Sequence, residues 1–142
     1  MREALIIFIK NAEYGKVKTR LASTVGEASA LRISLELLRH TRELALQIKV
    51  DRLLFYSSFI DDADDWNEPA FQKFLQEGKD LGLRMANAFK LAFQNHSKVV
   101  IIGSDCASLN HEILQDAFEK LEQYAFVIGP ALDGGYYLLG MS

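Results

Sequence analysis

A single cysteine, Cys106, leaves no partner for an internal disulfide, and that usage fits a reducing compartment, so a cytoplasmic protein is expected. The two prolines mark no proline-rich linker, and no repeat or low-complexity stretch is present. No apolar run approaches the roughly 20 residues needed to span a bilayer. Met1-Arg2-Glu3 and the short apolar run behind it lack the long apolar core and small-residue cleavage site of a signal peptide. Positive charge is not in surplus either: the formal net charge is −3, which gives no broad surface for nucleic acid or anionic lipid. Any anion site must therefore be local.

Hydrophobic residues make up 49% of the 142 positions and charged residues 25%, enough for one core and too few residues for two ordinary domains. A single domain over 1–142 is expected. The runs 4–9, 52–56, 99–102 and 126–128 are short and nearly continuously apolar, as strands covered on both faces are. Helical spacing lies between them. Thr24-Val25-Gly26-Glu27 reads as a capping box before a helix reaching toward Ile48, with Leu31, Leu35 and Leu38 on one stripe. Further helices are expected over 66–75, over 81–93, and from Asn110 to Leu121, where Leu109 and Leu114 form a hydrophobic staple. Strands alternating with helices imply right-handed crossovers and a three-layer α/β/α fold with a mainly parallel sheet. Tyr136 opens another strand-like run close to the end of the sequence, so a fragment or an unusually short form is expected.

Four cations, Lys10, Lys16, Lys18 and Arg20, are grouped around Gly15 directly after the first strand, beside Thr19. Glycine lets backbone approach phosphate oxygens, and lysine and arginine supply charge-assisted hydrogen bonds, so a di- or triphosphate is the expected ligand; a solvated basic loop is the alternative. The spacing fits neither a Walker A loop nor the dinucleotide G-x-G-x-x-G pattern. Gly103-Ser104-Asp105-Cys106 follows the run 99–102, placing Asp105 where a carboxylate can hold Mg²⁺ or Mn²⁺ on nucleotide phosphates or else make an Asx turn. Cys106 reads as a small packed residue. In Gly129-Pro130 and Asp133-Gly134-Gly135-Tyr136-Tyr137, the glycines clear room for a substrate that Asp133 contacts, or they only make a turn. Gln76, Gly78 and Arg84 stand at a helix entry that can pack against a base or ribose, or that is an ordinary helix-entry loop. Asp61, Asp62, Asp64 and Asp65 read as an exposed loop and helix start, and His40, His96 and His111 as surface or capping residues.

Taken together, these segments resemble a bacterial glycosyltransferase family with the GT-A, nucleotide-diphospho-sugar transferase fold, related to 2-phospholactate guanylyltransferase. The resemblance covers nearly the whole chain and rests on segments 8–21, 76–85, 103–106 and 129–138 taken in order. It implies a metal-dependent glycosyltransferase using a nucleotide-activated sugar. Lys10, Gly15, Lys16, Lys18, Thr19, Arg20, Gln76, Gly78 and Arg84 would bind the nucleotide. Asp105 and Asp133 would be catalytic, Asp105 would also hold Mg²⁺ or Mn²⁺, and Gly134, Gly135 and Tyr136 would meet substrate. The alternatives are nucleotidyl transfer from an NTP to a phosphorylated small molecule and nucleotide binding without catalysis. The chain departs from the family in having Ala12, Glu13 and Tyr14 where prolines are common, and one aspartate in Gly103-Ser104-Asp105 where many GT-A enzymes carry D-x-D. Relatives also usually continue past the position of Gly140. The ends of the runs 4–9, 99–102 and 126–128 are expected to meet along one edge as parallel neighbours or nearly so, gathering Gly15, Asp105 and Asp133 around one cleft.

Overall fold

The computed structural model describes residues 2–11, 26–104, 106, 108–130 and 136–142. Six strands, β1 (Arg2–Ile9), β2 (Asp51–Tyr56), β3 (Gln72–Leu75), β4 (His96–Ile102), β5 (Phe126–Pro130) and β6 (Tyr136–Met141), form one sheet of order β3-β2-β1-β4-β6-β5. Helices α1 (Glu27–Leu46), α2 (Leu81–Ala92) and α3 (His111–Lys120) cover it. The sheet is parallel from β3 through β4, and β6 runs antiparallel to both β4 and β5.

The continuously apolar strands are buried on both faces because successive side chains alternate between two cores. Leu5, Ile7 and Ile9 of β1 join Leu54, Tyr56, Val100 and Ile102 under α1 and α3, while Ala4 and Ile6 join Leu53, Phe55, Val99 and Ile101 under α2. Helices on opposite faces make the α/β/α sandwich that the alternating pattern implies. Among the described residues no helix is long and apolar enough to cross a membrane.

Local chemistry sets the helix ends. Asn110 caps α3 by accepting from the Ile113 amide at 3.0 Å, and Leu109 and Leu114 share one core as the staple requires. Asp80 caps α2 in the same way through Leu83 at 2.8 Å. The start of α1 differs from expectation: Gly26, with φ 91°, is its N-cap and Glu27 its first helical residue, while Thr24 and Val25 of the expected capping box lie outside the described residues. Its far end carries no basic residue of its own. Arg52 of β2 supplies the charge instead, donating to the carbonyls of Ala45 at 2.6 Å, Leu46 at 3.3 Å and Ile48 at 2.8 Å.

The helix expected over 66–75 does not form. Pro69 has no amide hydrogen to give a helix interior. Trp66 and Phe71 are instead buried edge to face, ring centroids 4.9 Å apart, across a turn closed by the Phe71 amide on the Asn67 carbonyl at 3.2 Å. Residues 72–75 then pair with β2 as an edge strand, with Phe74 packed on the α2 side. Lys73 is buried against Asp64 at 2.9 Å and the Asp61 carbonyl at 2.7 Å. The acidic segment is accordingly not a helix start. Asp64 turns inward, accepting from Lys73, the Tyr56 hydroxyl and the Trp66 amide. Burial first, and the Asp64 bond second, raise the Tyr56 hydroxyl pKa.

The strand 126–130 also needs a correction: it points the same way as β4 but is not its neighbour, because β6 inserts between them and pairs with both. Gly129 belongs to that pairing, since a Cβ there would stand 2.7 Å from the Tyr137 ring.

Candidate functional site

Parallel strands release their chains at one edge, and ligands of open α/β sheets bind just beyond it. Strands β1, β2 and β4 end there side by side. The space above them is a cleft of ≈ 480 Å³ whose polar lining comes from Lys10, Ser34, Ser57, Ser58, Gln76, Arg84 and Ser104.

Each of these side chains is placed by a few hydrogen bonds. Asn11, buried to 7% exposure, stitches the end of β1 to the turn after β2. Its carboxamide donates to the Phe59 carbonyl at 2.9 Å and accepts from the Ser58 and Phe59 amides at 2.9 and 3.2 Å. Its own amide donates to Ser57 Oγ at 3.0 Å, so Lys10, Ser57 and Ser58 are held on one rim. Gln76 spans the strand ends from the other side. Its Nε2 donates to the Ile9 carbonyl at 3.2 Å and the Phe55 carbonyl at 3.1 Å, and its Oε1 accepts from Arg84 Nη1 at 3.3 Å. Arg84 also donates through Nε to the Gly78 carbonyl and through Nη1 to the Ser57 carbonyl, both at 3.2 Å.

Gly78 has φ 143°, and a Cβ there would sit 2.8 Å from the Arg84 amide nitrogen, so only glycine lets the loop pass this close to the first turn of α2. It stands behind Arg84 and outside the cleft lining. The N-terminus of α2, from which Leu81 and Arg84 reach the cleft, adds partial positive charge to this rim.

Of the residues picked out from the sequence, Lys10, Gln76 and Arg84 thus meet on one cleft. Tyr136 lies in an adjoining pocket of ≈ 320 Å³ that shares Phe8, Leu81 and Gly103 with it. Gly15, Lys16, Lys18, Thr19, Arg20, Asp105, Asp133, Gly134 and Gly135 fall outside the described residues. Of the residues flanking Asp105, Ser104 lines the cleft and Cys106 the adjoining pocket. Cys106 is half-buried and packs on the main core, as a small structural residue does. His40 bonds the Leu109 carbonyl at 2.9 Å, and the buried His96 bonds the Ala92 carbonyl at the end of α2 at 2.8 Å; neither reaches the cleft.

Asn11, Ser57 and Ser58 went unnoticed in the sequence. The signal that finds them is position, since each lies within two residues of the end of a parallel strand. The described lining carries two cations, an amide and hydroxyls, with no carboxylate, in a chain of net charge −3. Such a set suits an anion. Among the described residues no group of three or more His, Cys, Asp or Glu converges to hold a metal ion.

Residues 39–142 match the family model DUF2064, described as "Uncharacterized protein conserved in bacteria". The crystal structure of a "putative nucleotide-diphospho-sugar transferase" from Desulfovibrio desulfuricans G20 is similar with TM-score 0.88 and 35% identity, over 98% of this chain and 62% of that one. The chain therefore spans less than two thirds of that protein. A cytidylyltransferase from Leptospira borgpetersenii shares the fold at TM-score 0.58 and 15% identity, over 100% of this chain and 60% of that one. So does 4-diphosphocytidyl-2C-methyl-D-erythritol synthase from Anaerococcus prevotii, at TM-score 0.55 and 12% identity, over 99% of this chain and 71% of that one. No curated protein matches the chain.

Proposed function

Because this chain belongs to the bacterial family DUF2064, and its fold is that of nucleotide-diphospho-sugar transferases, we propose that it is a transferase taking a nucleotide-activated sugar as donor and passing the glycosyl group to a small-molecule acceptor. The observation that carries the reading is the cleft at the ends of β1, β2 and β4, where Lys10 and Arg84 face one space with no described carboxylate opposing them. Lys16, Lys18, Thr19 and Arg20, with Gly15 for close backbone approach, complete the diphosphate site in this reading.

An acceptor hydroxyl oxygen attacks the anomeric carbon, and the bond from that carbon to the diphosphate oxygen breaks. The nucleoside diphosphate leaves with the electron pair, and the hydroxyl proton passes to solvent or to Asp133. Negative charge grows on the leaving diphosphate as the bond breaks, so cations fixed beside it lower the barrier more than they stabilise the bound donor. We assign that role to Lys10, Lys16, Lys18 and Arg20, with Arg84 facing the nucleoside and Gln76 holding Arg84 in place. Gly134, Gly135 and Tyr136 are assigned to the transferred group or the acceptor.

Metal dependence belongs to the proposal through Asp105. The described lining offers no carboxylate for a cation, so Asp105 is the residue we assign to Mg²⁺ or Mn²⁺, and no step above is routed through the ion. When bound, such an ion would supply further positive charge at the diphosphate.

Nucleotidyl transfer is the second reading, favoured by the fold shared with the cytidylyltransferase and the 4-diphosphocytidyl-2C-methyl-D-erythritol synthase. Incubation with nucleotide sugars and with NTPs, each with an acceptor panel, separates the two. Nucleoside diphosphate release is expected, whereas pyrophosphate release selects nucleotidyl transfer. Tight binding with no turnover of either donor class would instead mark a binding module, and no binding of any nucleotide would sink the proposal.

A further inference from the structure

The cleft continues past Phe8, Leu81 and Gly103 toward β6, and there its character changes. In place of the lysine, arginine, glutamine and serines stand Met85, Ile101, Ile102, Tyr137 and Leu138, and none of the described residues lining this ≈ 320 Å³ pocket carries a formal charge. At its mouth Leu81 is 63% exposed and Tyr136 49% exposed, with the Tyr136 hydroxyl 3.6 Å from Met85 Sδ. Large apolar groups left in water around a concave, uncharged pocket favour an apolar occupant.

Resting on the reading of the charged cleft as the donor site, we propose that this pocket is the acceptor subsite and that the acceptor seats an uncharged apolar or aromatic portion in it. The division of charge carries the argument. A diphosphate gains from Lys10 and would lose its hydration against Ile101, Ile102 and Leu138 with nothing in return among the described residues. A hydroxyl-rich acceptor moiety would likewise leave its hydrogen bonds unmade against those side chains. An aromatic or alkyl group loses nothing by entering and removes the exposed surface of Leu81 and Tyr136 from water. The shared rim at Gly103 then brings the acceptor's reacting end to the donor side.

The test uses the whole chain and two kinds of probe. Calorimetric titration with UDP, GDP and CDP in Mg²⁺ reports the donor site by itself. Methyl β-D-glucoside and 2-naphthyl β-D-glucoside are then titrated into the protein, with and without the tightest of these nucleotides. The naphthyl compound should bind about 10-fold more tightly or better, an increment that burial of part of one aromatic ring supplies. That preference should shrink to about 2-fold or less in Leu81→Glu and in Tyr136→Ser. Both side chains are exposed enough that these variants should fold, which thermal melts verify. Equal binding of the two glucosides, or a preference that survives both substitutions, overturns the proposal. It also falls if Leu81→Glu converts a dimer to a monomer by light scattering, since the patch is then a subunit interface. Absent nucleotide binding with the naphthyl preference intact and lost in both variants would support the apolar pocket while refuting the donor reading.

Discussion

Gln76 offers the sharpest mechanical test of how the cleft is built. Its side chain is 9% exposed and joins three elements: Nε2 holds the carbonyls of Ile9 and Phe55, and Oε1 holds Arg84. In Gln76→Glu an almost isosteric carboxylate loses both donors and turns an anionic oxygen toward two carbonyl oxygens. Each lost bond costs about 1 kcal/mol, and repulsion adds to that, while the stronger bond to Arg84 returns part of it. A net destabilisation of about 2 kcal/mol at pH 7 is expected, or a fall in Tm of roughly 6 °C for a chain of this size. Gln76→Leu loses all three bonds and leaves Arg84 without this acceptor, for about 3 kcal/mol.

The two variants part company with pH. In Gln76→Glu the facing carbonyls raise the folded-state pKa of the new carboxyl above its unfolded value of about 4.3. Stability is then recovered as pH falls through that raised value, when the protonated carboxyl can donate to one carbonyl, and is lost again as pH rises. Urea denaturation followed by circular dichroism at pH 7 and pH 5 should therefore show the gap to wild type narrowing for Gln76→Glu and staying fixed for Gln76→Leu. A Gln76→Glu protein as stable as wild type at pH 7 would refute the claim that Gln76 closes the strand ends.

Gly78→Ala should destabilise the protein by about 1–3 kcal/mol in chemical denaturation, through positive-φ strain and the contact with the Arg84 amide, and should weaken nucleotide binding if Arg84 shifts with it. Arg52→Leu should cost about 3 kcal/mol in the same assay because the carbonyls at the end of α1 lose their charged donor; a loss under about 0.5 kcal/mol would show that water replaces it. Burial pushes the Asp51 carboxyl up, but hydrogen bonds from His96 and Arg2 outweigh it and hold its pKa below the ordinary value. Its stabilisation is thus present above the unfolded value of about 3.9 and lost as pH falls through the lower folded one, so Asp51→Asn should flatten Tm against pH between about pH 4 and pH 2. Asp105→Asn should keep the fold by thermal melt yet remove the Mg²⁺ or Mn²⁺ dependence of nucleotide binding, and equal metal dependence in wild type and variant would take Asp105 out of the site.

The legible parts of the fold were those decided locally. Val99 through Ile102 reads as a buried strand because both its faces are apolar, and Asn110 reads as a cap because its partner, Ile113, is three residues away. The region 66–75 misled because Trp66, Ala70, Phe71, Phe74 and Leu75 recur at helical spacing although aromatic residues favour strands. Their actual partners are distant: Lys73 answers Asp64 and Tyr56, and Phe74 stacks on Phe55, so an edge strand wins over the local pattern. The insertion of β6 beside β4 was equally invisible, since sequence shows a strand's existence more readily than its neighbour. In the site, cations beside a glycine drew the eye to Lys10, whereas Asn11 did not stand out. Its bonds reach across to residues 57–59, and no local spacing announces them.

That difference bears on what each cleft residue can be asked to do. Gln76 and Asn11 spend their side chains on backbone groups at the strand ends, so their removal changes the shape of the cleft before it changes any contact to a ligand. Arg84 is divided: Nε and Nη1 hold Gly78, Ser57 and Gln76, while Nη2 makes no hydrogen bond among the described residues. Arg84 can therefore position the rim with one edge of its guanidinium and meet a ligand with the other. A lysine cannot do both, because one ammonium on a flexible stem does not reproduce a planar fork. Exposed Lys10 has neither duty to the strand ends nor a buried partner among the described residues, so its substitution is the one that reports ligand charge with the cleft left standing.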